Sequence, residues 1–418
     1  MRGDSPSLRR WRELGIFALF SALLFIAAAS RRPDAVLRAQ FWAEDGTIFF
    51  ADNYNLGVLH SLAQPYGGYF NTFPRIATAV ALLFPLALAP LVTNLLALCV
   101  QALPAIFLLT PRFAHMASLK ARGLMAALLI GVPVSYEVQA CVSHSQRFLA
   151  LALLLVLVAK PPTTWAWRAF DLGVVLVGGL TGPSCVFLLP LGFVIFRMRR
   201  ESWMRVLLAV LAGVAAVQVV AFAMTAPEVR STAPLGATPM LLVDLVGGRV
   251  IVDALVGPSF LPNHPAIAGW ISLFGFEGAL ALAAYGLYRA PVELRLFLVF
   301  GVAILAAALR FPHVTATLPQ WPVMDVNQNG GRYWLTPVIA FLFVYVWMMG
   351  RERPALVRLI GSLAVAAALW TDVLYWRYPA YPDNDFQKYA REFQGVPAGQ
   401  QFTFPINPSG WTVTLHKH

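Results

Sequence analysis

The stretch LGIFALFSALLFIAAASRRPDAVLRAQFWAEDGTIFF, Leu14–Phe50, joins an apolar run to a segment in which two adjacent carboxylates, Glu44 and Asp45, stand among aromatic side chains. Residues 13–30 are apolar enough to form a membrane span, and a cluster of arginines precedes them. Basic residues ahead of an apolar run are typical of a signal sequence. Because many further apolar runs follow, we predict an uncleaved signal anchor, with the acids in the first loop beyond the membrane.

The composition of the chain is that of a membrane protein with several spans. Of its 418 residues, 59% are hydrophobic and only 12% are charged, and the mean hydropathy is +0.67. A water-soluble domain carries about twice that share of charged residues. The formal net charge of +11 does not predict a nucleic-acid partner, because the basic residues fall in short clusters between apolar runs rather than along one polar face. These clusters are topology signals.

The apolar runs predict an all-α polytopic membrane protein with about eleven transmembrane helices. The run Asp171–Phe196 is longer than one span and is interrupted by LTGPS, which predicts two short helices folded against each other. The run Arg75–Ala89 is short for a span and predicts an interfacial or re-entrant segment. The remaining spans are predicted at residues 13–30, 90–110, 121–136, 145–160, 204–224, 268–288, 293–309, 334–350 and 356–374.

The basic loops set the orientation of these spans. With Arg75–Ala89 left out of the count, every dense basic loop falls on the side of the N-terminus, which the positive-inside rule assigns to the cytoplasm. The inner loops are short and contain no glycine-rich phosphate motif, so any chemistry is expected on the outer face. The predicted outer segments are Arg31–Pro74, 136–147, Thr225–Ala268, 311–334 and the tail from Tyr375.

The first outer loop, residues 31–74, is the predicted location of the active site. The segment after Asp45 is too apolar for free solution and too polar to span, which predicts helices along the membrane surface. Burial at that boundary raises the pKa of a carboxylate and makes it a stronger base. Asp45 is therefore the first catalytic candidate, Glu44 is the second, and Trp42 is a substrate-binding candidate. The structural alternative is that one of the acids caps a helix that begins near Gly46.

A second outer segment, YEVQACVSHSQR, contains a cluster of hydrogen-bonding side chains at a membrane edge. Glu137 is a third catalytic candidate, and its alternative is a merely solvated acid. His144, Gln146 and Arg147 are substrate-binding candidates. For His144 alone the structural alternative is the stronger one, because no second histidine stands at the spacing of a metal site.

A third outer segment, DVNQNGGRYWLTP, offers a cation suited to phosphate. The guanidinium of Arg332 has the forked geometry that grips phosphate oxygens, and Tyr333 stands beside it. The alternative is an arginine that extends to lipid headgroups. Asp325 and His313 are weaker candidates in the same segment.

The cysteine pattern predicts neither a metal site nor a disulfide framework. Cys99, Cys141 and Cys185 form no CxxC pair. No organic cofactor is predicted. A divalent cation stays open as an alternative, although arginine alone can balance the charge of a monophosphate leaving group.

Five short motifs in order carry a resemblance to a known family: FWAEDG, PYGGYFNTFPR, LTGPS, GGRYWLTP and INPSGWTVTL. The chain resembles the GT-C class of polytopic glycosyltransferases, which includes the protein O-mannosyltransferases and the lipid A aminoarabinose transferases. It is most similar to a bacterial family described only as membrane glycosyltransferases. The similarity covers nearly the whole chain, and the order of the motifs carries it, since each motif alone is short.

The resemblance implies an inverting transfer of a sugar from a polyprenyl-phosphate donor to a glycan, lipid or protein acceptor on the outer face. It implies a bacterial inner membrane, with the active site toward the periplasm. It gives Asp45 the role of general base, Glu137 that of orienting the acceptor or the base, and Arg332 that of neutralising the phosphate. Relatives often carry a lysine near LTGPS, where this chain has Gly182 and Pro183 but no cation.

Two hypotheses about function, from classes other than enzymes, stay open. A lipid or glycan flippase, or another transporter, would use charges within the spans, and Glu277 is the clearest such acid. A non-enzymatic assembly subunit would need no carboxylate at the membrane surface. We predict two units, an integral membrane domain over residues 1–374 and a small outward α/β segment over 375–418. In the latter, DFQKYAREFQ predicts a helix, and QFTFPI and WTVTL predict two strands.

Overall fold

The computed structural model describes residues 6–225, 232–326 and 330–418, with side chains described from residue 14 onward. Over these residues the chain is α-helical, with one small two-stranded sheet at its C-terminal end, so the all-α part of the predicted fold class is confirmed. Six of the helical segments are long and apolar enough to cross a membrane, and the chain is an α-helical membrane protein. These segments are Leu86–Leu108, Ser202–Met224, Pro265–Arg289, Val292–Arg310, Gly331–Met348 and Ala355–Leu374.

The first half of the chain alternates long helices with the short helices of the first loop. Between α2 and α3, residues Asp45–Phe50 form a π-helical turn. The helices are α1 (Pro6–Ser30), α2 (Asp34–Leu37), α3 (Ala51–Leu56), α4 (Val58–Leu62), α5 (Thr72–Ala81), α6 (Ala89–Leu108), α7 (Leu119–Gly131), α8 (Ser145–Val158), α9 (Trp165–Gly179), α10 (Ser184–Arg199) and α11 (Ser202–Met224).

The second half follows the same alternation and ends in the sheet. A second π-helical stretch, Asp244–Val252, precedes α13. The elements are α12 (Pro239–Val243), α13 (Asp253–Val256), α14 (Phe260–Asn263), α15 (Pro265–Arg289), α16 (Val292–Arg310), α17 (Gln320–Asp325), α18 (Gly331–Met348), α19 (Ala355–Leu374), α20 (Phe386–Gln394), β1 (Gln401–Ile406) and β2 (Trp411–His416).

The two ambiguous runs of the sequence are short helices. The run Asp171–Phe196 is divided at residues 180–183, as predicted, into α9 and α10. The two helices barely contact each other, because α9 packs mainly against α8 and α11, and α10 packs mainly against α11. The run Arg75–Ala89 contains most of α5, whose ten residues rise only about 15 Å and cannot cross a bilayer. The total of eleven spans stays a prediction.

Two helices form the centre of the bundle. In α8 every residue from Phe148 to Val158 is buried, and in α18 every residue from Tyr333 to Val346 is buried. A helix that is apolar on all sides belongs in the interior. Outer helices instead present large apolar side chains to their surroundings, for example Phe274 of α15 (65% exposed), which fits contact with lipid.

The connecting segments gather at two ends of the bundle. At one, which we call the basic end, Arg112 bonds to Asp171 and Arg199 bonds to Glu293. Segments predicted to share the inner side meet here, at residues 109–122, 158–171, 197–205 and 288–295. At the other, which we call the loop end, the predicted outer segments and the LTGPS break meet, at residues 31–75, 132–147, 180–184, 232–264, 311–326, 330–334 and 375–418. Residues 226–231 and 327–329 of the predicted loops lie outside the described residues.

The tail packs directly onto the first loop. The predicted helix and both predicted strands are confirmed as α20, β1 and β2, and the strands pair antiparallel. Aromatic and aliphatic side chains of the tail share one buried cluster with Phe41 and Phe50. A methyl group on Gly46 would come within 3 Å of Val413 and Ile406, so glycine is required for this close approach. The boundary between residues 374 and 375 stays a prediction.

Candidate functional site

Asp45 links the first loop to the second. Its carboxylate accepts the backbone N–H of Val142 and of Ser143, each at 2.9 Å, and the side chain is 1% exposed. Burial raises the pKa of Asp45 to about 7, although the two N–H donors favour the charged form and lower it. Neither acid caps the helical turn that begins at Asp45, so the capping alternative is wrong. Asp45 instead holds the segment before α8 in place.

Glu44 is the accessible member of the acid pair. Its side chain is partly exposed, and among the described residues it makes no hydrogen bond and no ion pair. It lies close enough to Asp45 and Cys141 for its charge to raise the pKa of both. Glu44 is therefore a carboxylate that can meet a substrate, whereas Asp45 is enclosed by protein.

A buried network continues from Asp45 to His144. The sulfur of Cys141 lies 3.6 Å from Asp45 Oδ1 and 3.1 Å from His144 Nδ1. Burial raises the pKa of Cys141 well above its ordinary value, so the group stays a thiol. Burial also lowers the pKa of His144 to about 3, with a further contribution from Arg147, so the imidazole is neutral. The trio has the composition of a nucleophilic site, but its thiol is not activated.

Glu137 and Arg332, which the sequence suggested separately, form one ion pair. An Nη of Arg332 bonds to Glu137 Oε1, and the backbone N–H of Arg332 donates to Oε2 at 3.0 Å. The other Nη of Arg332 donates to the carbonyl of His313. The hydroxyl of Tyr333 accepts the N–H of His313 at 2.9 Å. The guanidinium of Arg332 is therefore already engaged by protein groups.

Arg147 is the less engaged cation of the site. Its guanidinium carbon lies 5.6 Å from the ring centre of Tyr333. The side chain is partly exposed, and it makes no ion pair or side-chain hydrogen bond with any residue that the structure describes. Through Tyr333 it connects the Asp45 network to the Glu137–Arg332 pair.

Gln146 joins the second loop to the LTGPS break. Its amide packs so closely on Gly182 that a methyl group there would lie 2.2 Å from Gln146 Oε1. Gly182 also has a positive φ of 88°, which favours glycine a second time. The LTGPS break lacks the lysine that is frequent in the family that this chain resembles. It lies next to Gln146, which directly precedes Arg147.

Trp42 is held by the tail. Its ring stacks on Tyr381 with centroids 4.4 Å apart, and residues 41–43 pair with Asn407 through backbone hydrogen bonds. The tail thus packs against the first loop beside Glu44 and Asp45. Trp42 remains partly exposed, so its predicted contact with substrate stays a prediction.

Two buried arginines were missed by sequence reasoning. Arg31 donates to the carbonyls of Ile130 and Val132, at 2.5 and 3.0 Å. Arg32 is fully buried, with its guanidinium 3.8 Å from the ring centre of Tyr381 and 4.6 Å from that of Tyr136. A signal was present, because paired arginines directly after the first predicted span contradict the positive-inside trend.

Comparison with known proteins does not assign the chain. No protein-family model and no curated protein matches it. The likeness to the GT-C class therefore stays a prediction. Within the described ranges, no group of three or more His, Cys, Asp or Glu side chains is placed to hold a metal ion.

Glu277 does not lie in the interior of the bundle. It is exposed on α15, a helix with few buried residues, and no described residue pairs with it. An interior transport path that uses Glu277 is not favoured by this position.

Proposed function

We propose that the chain is a membrane glycosyltransferase that moves a sugar from a polyprenyl-phosphate carrier to an acceptor hydroxyl, with inversion at the anomeric carbon. The observation that carries this proposal is a carboxylate and a guanidinium without charged partners among the described residues, at the same end of the bundle. The charge of Glu44 raises the pKa of Cys141, and the charge of Arg147 lowers the pKa of His144. Both groups therefore lie near the segment Cys141–His144, whose thiol and imidazole carry no charge. A base and a phosphate-binding cation are the two groups that such a transfer needs.

Within the acid pair, we assign the general base to Glu44 and a positioning role to Asp45. The sequence-based hypothesis gave the base to Asp45. The burial of Asp45 and the access to Glu44 support the exchange of roles, because a base must come within hydrogen-bond reach of the proton that it removes. Asp45 fixes the loop that carries His144 and Arg147.

The proposed reaction is an in-line displacement. The acceptor hydroxyl gives its proton to Glu44 as its oxygen bonds to the anomeric carbon. The bond from that carbon to the phosphate oxygen breaks, and polyprenyl phosphate leaves with the bonding electrons. Arg147 binds this phosphate in our proposal, because Arg332 is engaged by Glu137 and by His313. The Glu137–Arg332 pair then orients α18 and the side chain of Tyr333 against Arg147.

The proposal includes the setting of the enzyme. We infer about eleven spans, an N-terminus in the cytoplasm and a loop end that faces the periplasm of a bacterial inner membrane. The separation of basic loops and polar loops to opposite ends of the bundle supports this orientation. The exposed apolar helices support direct entry of the lipid-linked donor from the bilayer. The acceptor is a glycan, a lipid or a protein.

The test uses a strain that lacks its own copy of the chain and is complemented with variants at matched membrane levels. Mass spectrometry measures the polyprenyl-phosphate-linked sugars and the surface glycans. We expect Glu44→Gln to accumulate one lipid-linked sugar and to lack one sugar residue at the surface, and the missing mass identifies the sugar. Unchanged pools in both Glu44→Gln and Asp45→Asn would refute the proposal.

A further inference from the structure

A cavity lies beside the Glu137–Arg332 pair, on the side of the tail. Its volume is about 250 Å³, and its wall includes Tyr136, Trp334 and Tyr378. Tyr136 and Gly331 directly precede the two members of the ion pair and also line the cavity. Arg377, another lining residue, is exposed, so the cavity opens at the surface of the protein.

Two polar residues that line the cavity, Arg249 and Asp253, each keep one unsatisfied atom. Asp253 is 3% exposed and Arg249 is 8% exposed, and they pair through Asp253 Oδ2 and an Nη of Arg249 at 3.2 Å. Asp253 Oδ1 and Arg249 Nε are buried and have no hydrogen-bond partner among the described residues. Buried polar atoms are rarely left unpaired, so two lining residues that keep one unpaired acceptor and one unpaired donor point to a bound polar group.

Asp325 fixes the position of the Arg249–Asp253 pair. Another Nη of Arg249 bonds to the carbonyl of Asp325 and lies 3.4 Å from its carboxylate. A guanidinium fixed by two carboxylates has little freedom to turn its Nε elsewhere. The unpaired donor and the unpaired acceptor are therefore held in fixed positions, which is the property of a preorganised binding site.

We propose that this cavity binds a pyranose ring that carries two adjacent hydroxyl groups. One hydroxyl donates to Asp253 Oδ1 and its neighbour accepts from Arg249 Nε. The apolar C–H face of the ring packs on Trp334 and Tyr136, because the faces of aromatic rings offer a large apolar contact area. That the sugar takes part in a transfer rests on the proposed function, while its binding in the cavity does not.

The test is binding of simple glycosides to the purified protein in lipid nanodiscs, measured by saturation-transfer NMR. The probes are the methyl α-pyranosides of mannose, glucose and galactose, with tetrahydropyran-2-methanol as the ring that lacks adjacent hydroxyls. We expect wild type to bind at least one glycoside and to bind the diol-free ring at least tenfold more weakly. This comparison uses unmodified protein, so it does not depend on how a variant folds.

Variants locate the binding. Asp253→Asn is expected to weaken glycoside binding at least tenfold, and Glu277→Gln, at an exposed acid away from the loop end, is expected to leave it unchanged. Absence of glycoside binding to wild type, equal binding of the diol-free ring, or equal binding by a folded Asp253→Asn would each overturn the proposal. Binding without any turnover of lipid-linked sugar would refute the proposed function and leave the cavity assignment standing.

A competition arm distinguishes the source of the sugar. The competitor is a short-chain prenyl phosphate that carries the sugar of the best-bound glycoside. If the competitor displaces the glycoside, the cavity binds the donor sugar. If both bind at the same time, the cavity binds the acceptor sugar. Both results support a sugar site. The competition is measured after binding of the glycoside to wild type has been established.

Discussion

Charge is held in two different ways in this bundle, as a pair at the basic end and two side chains at the loop end illustrate. At the basic end, both Nη atoms of Arg112 bond to the carboxylate of Asp171, at 2.6 and 2.9 Å, and Trp203 donates to the same carboxylate at 3.0 Å. At the loop end, Glu44 and Arg147 have no ion pair with any described residue. A fully paired charge serves the fold, whereas an unpaired charge in a partly enclosed place is available to a substrate.

The comparison also separates the two acids of the opening stretch. Asp45 resembles the paired charges in being satisfied by protein groups, because two backbone N–H groups saturate one side of its carboxylate and the protein encloses the rest. Glu44, one residue earlier, belongs with the unpaired ones. Adjacent residues in a helical turn point in different directions, so sequence neighbours can differ this strongly in environment.

The largest effect is expected for Glu44→Gln. Loss of a general base slows transfer roughly 10²–10⁴-fold, while thermal stability should be unchanged because Glu44 makes no bond within the described protein. The measurement is the turnover of lipid-linked sugar in membranes. Glu277→Gln is the matched control, since that exposed acid lies away from the loop end. A larger loss in Glu277→Gln than in Glu44→Gln would instead support transport.

A smaller loss of activity is expected for Arg147→Gln. Removal of the cation that balances the leaving phosphate slows transfer roughly 10²–10³-fold. Arg147→Lys should recover part of the rate, because the charge returns without the fork. Single-turnover kinetics on the accumulated lipid-linked sugar measure both variants. If Arg332→Lys slowed transfer while Arg147→Gln did not, the phosphate would belong to Arg332.

Asp171→Asn tests the opposite end. Breaking a buried ion pair leaves Arg112 without a counter-charge and costs about 3–5 kcal/mol of stability. We expect a lower melting temperature and normal turnover per folded molecule. Tryptophan fluorescence during thermal unfolding gives the first quantity, and turnover divided by folded protein gives the second. A stable but inactive Asp171→Asn would break the distinction between the two ends.

The smallest effect is a pH dependence at Asp45. Its pKa in the folded protein is about 7, above the ordinary value of about 4. Because the folded pKa is the higher one, the associated stabilisation is complete below about pH 4 and is lost as the pH rises through 7. The melting temperature of wild type should therefore fall relative to that of Asp45→Asn between pH 5 and pH 8. A constant difference across that range would contradict the burial of an ionisable group here.

Local features were predictable from the sequence, and long-range pairings were not. The LTGPS break follows from its turn residues, and the tail helix and strands follow from their periodicity. The pairing of Glu137 with Arg332 joins residues 195 positions apart, and that of Asp45 with Ser143 spans 98. Nothing in a single sequence encodes such distances. For the same reason the loop Thr225–Ala268 drew no candidate, although it contains Asp253 and Arg249.

The basic clusters show how one residue type serves two purposes. From the sequence alone these clusters indicate only the topology. Arg112 and Arg199 are in addition buried or half-buried partners of Asp171 and Glu293. The excess of arginine on one side therefore reflects structural pairing as well as orientation.

The role of Glu44 is tested most directly by the decay of the polyprenyl-phosphate-linked sugar after its synthesis is blocked, followed by mass spectrometry in membranes that contain equal amounts of each variant. We expect rapid decay with wild type, with Asp171→Asn corrected for folded protein and with Glu277→Gln, and decay at least 100-fold slower with Glu44→Gln. Decay at the wild-type rate with Glu44→Gln would contradict the claim that the unpaired acid at the loop end performs the chemistry.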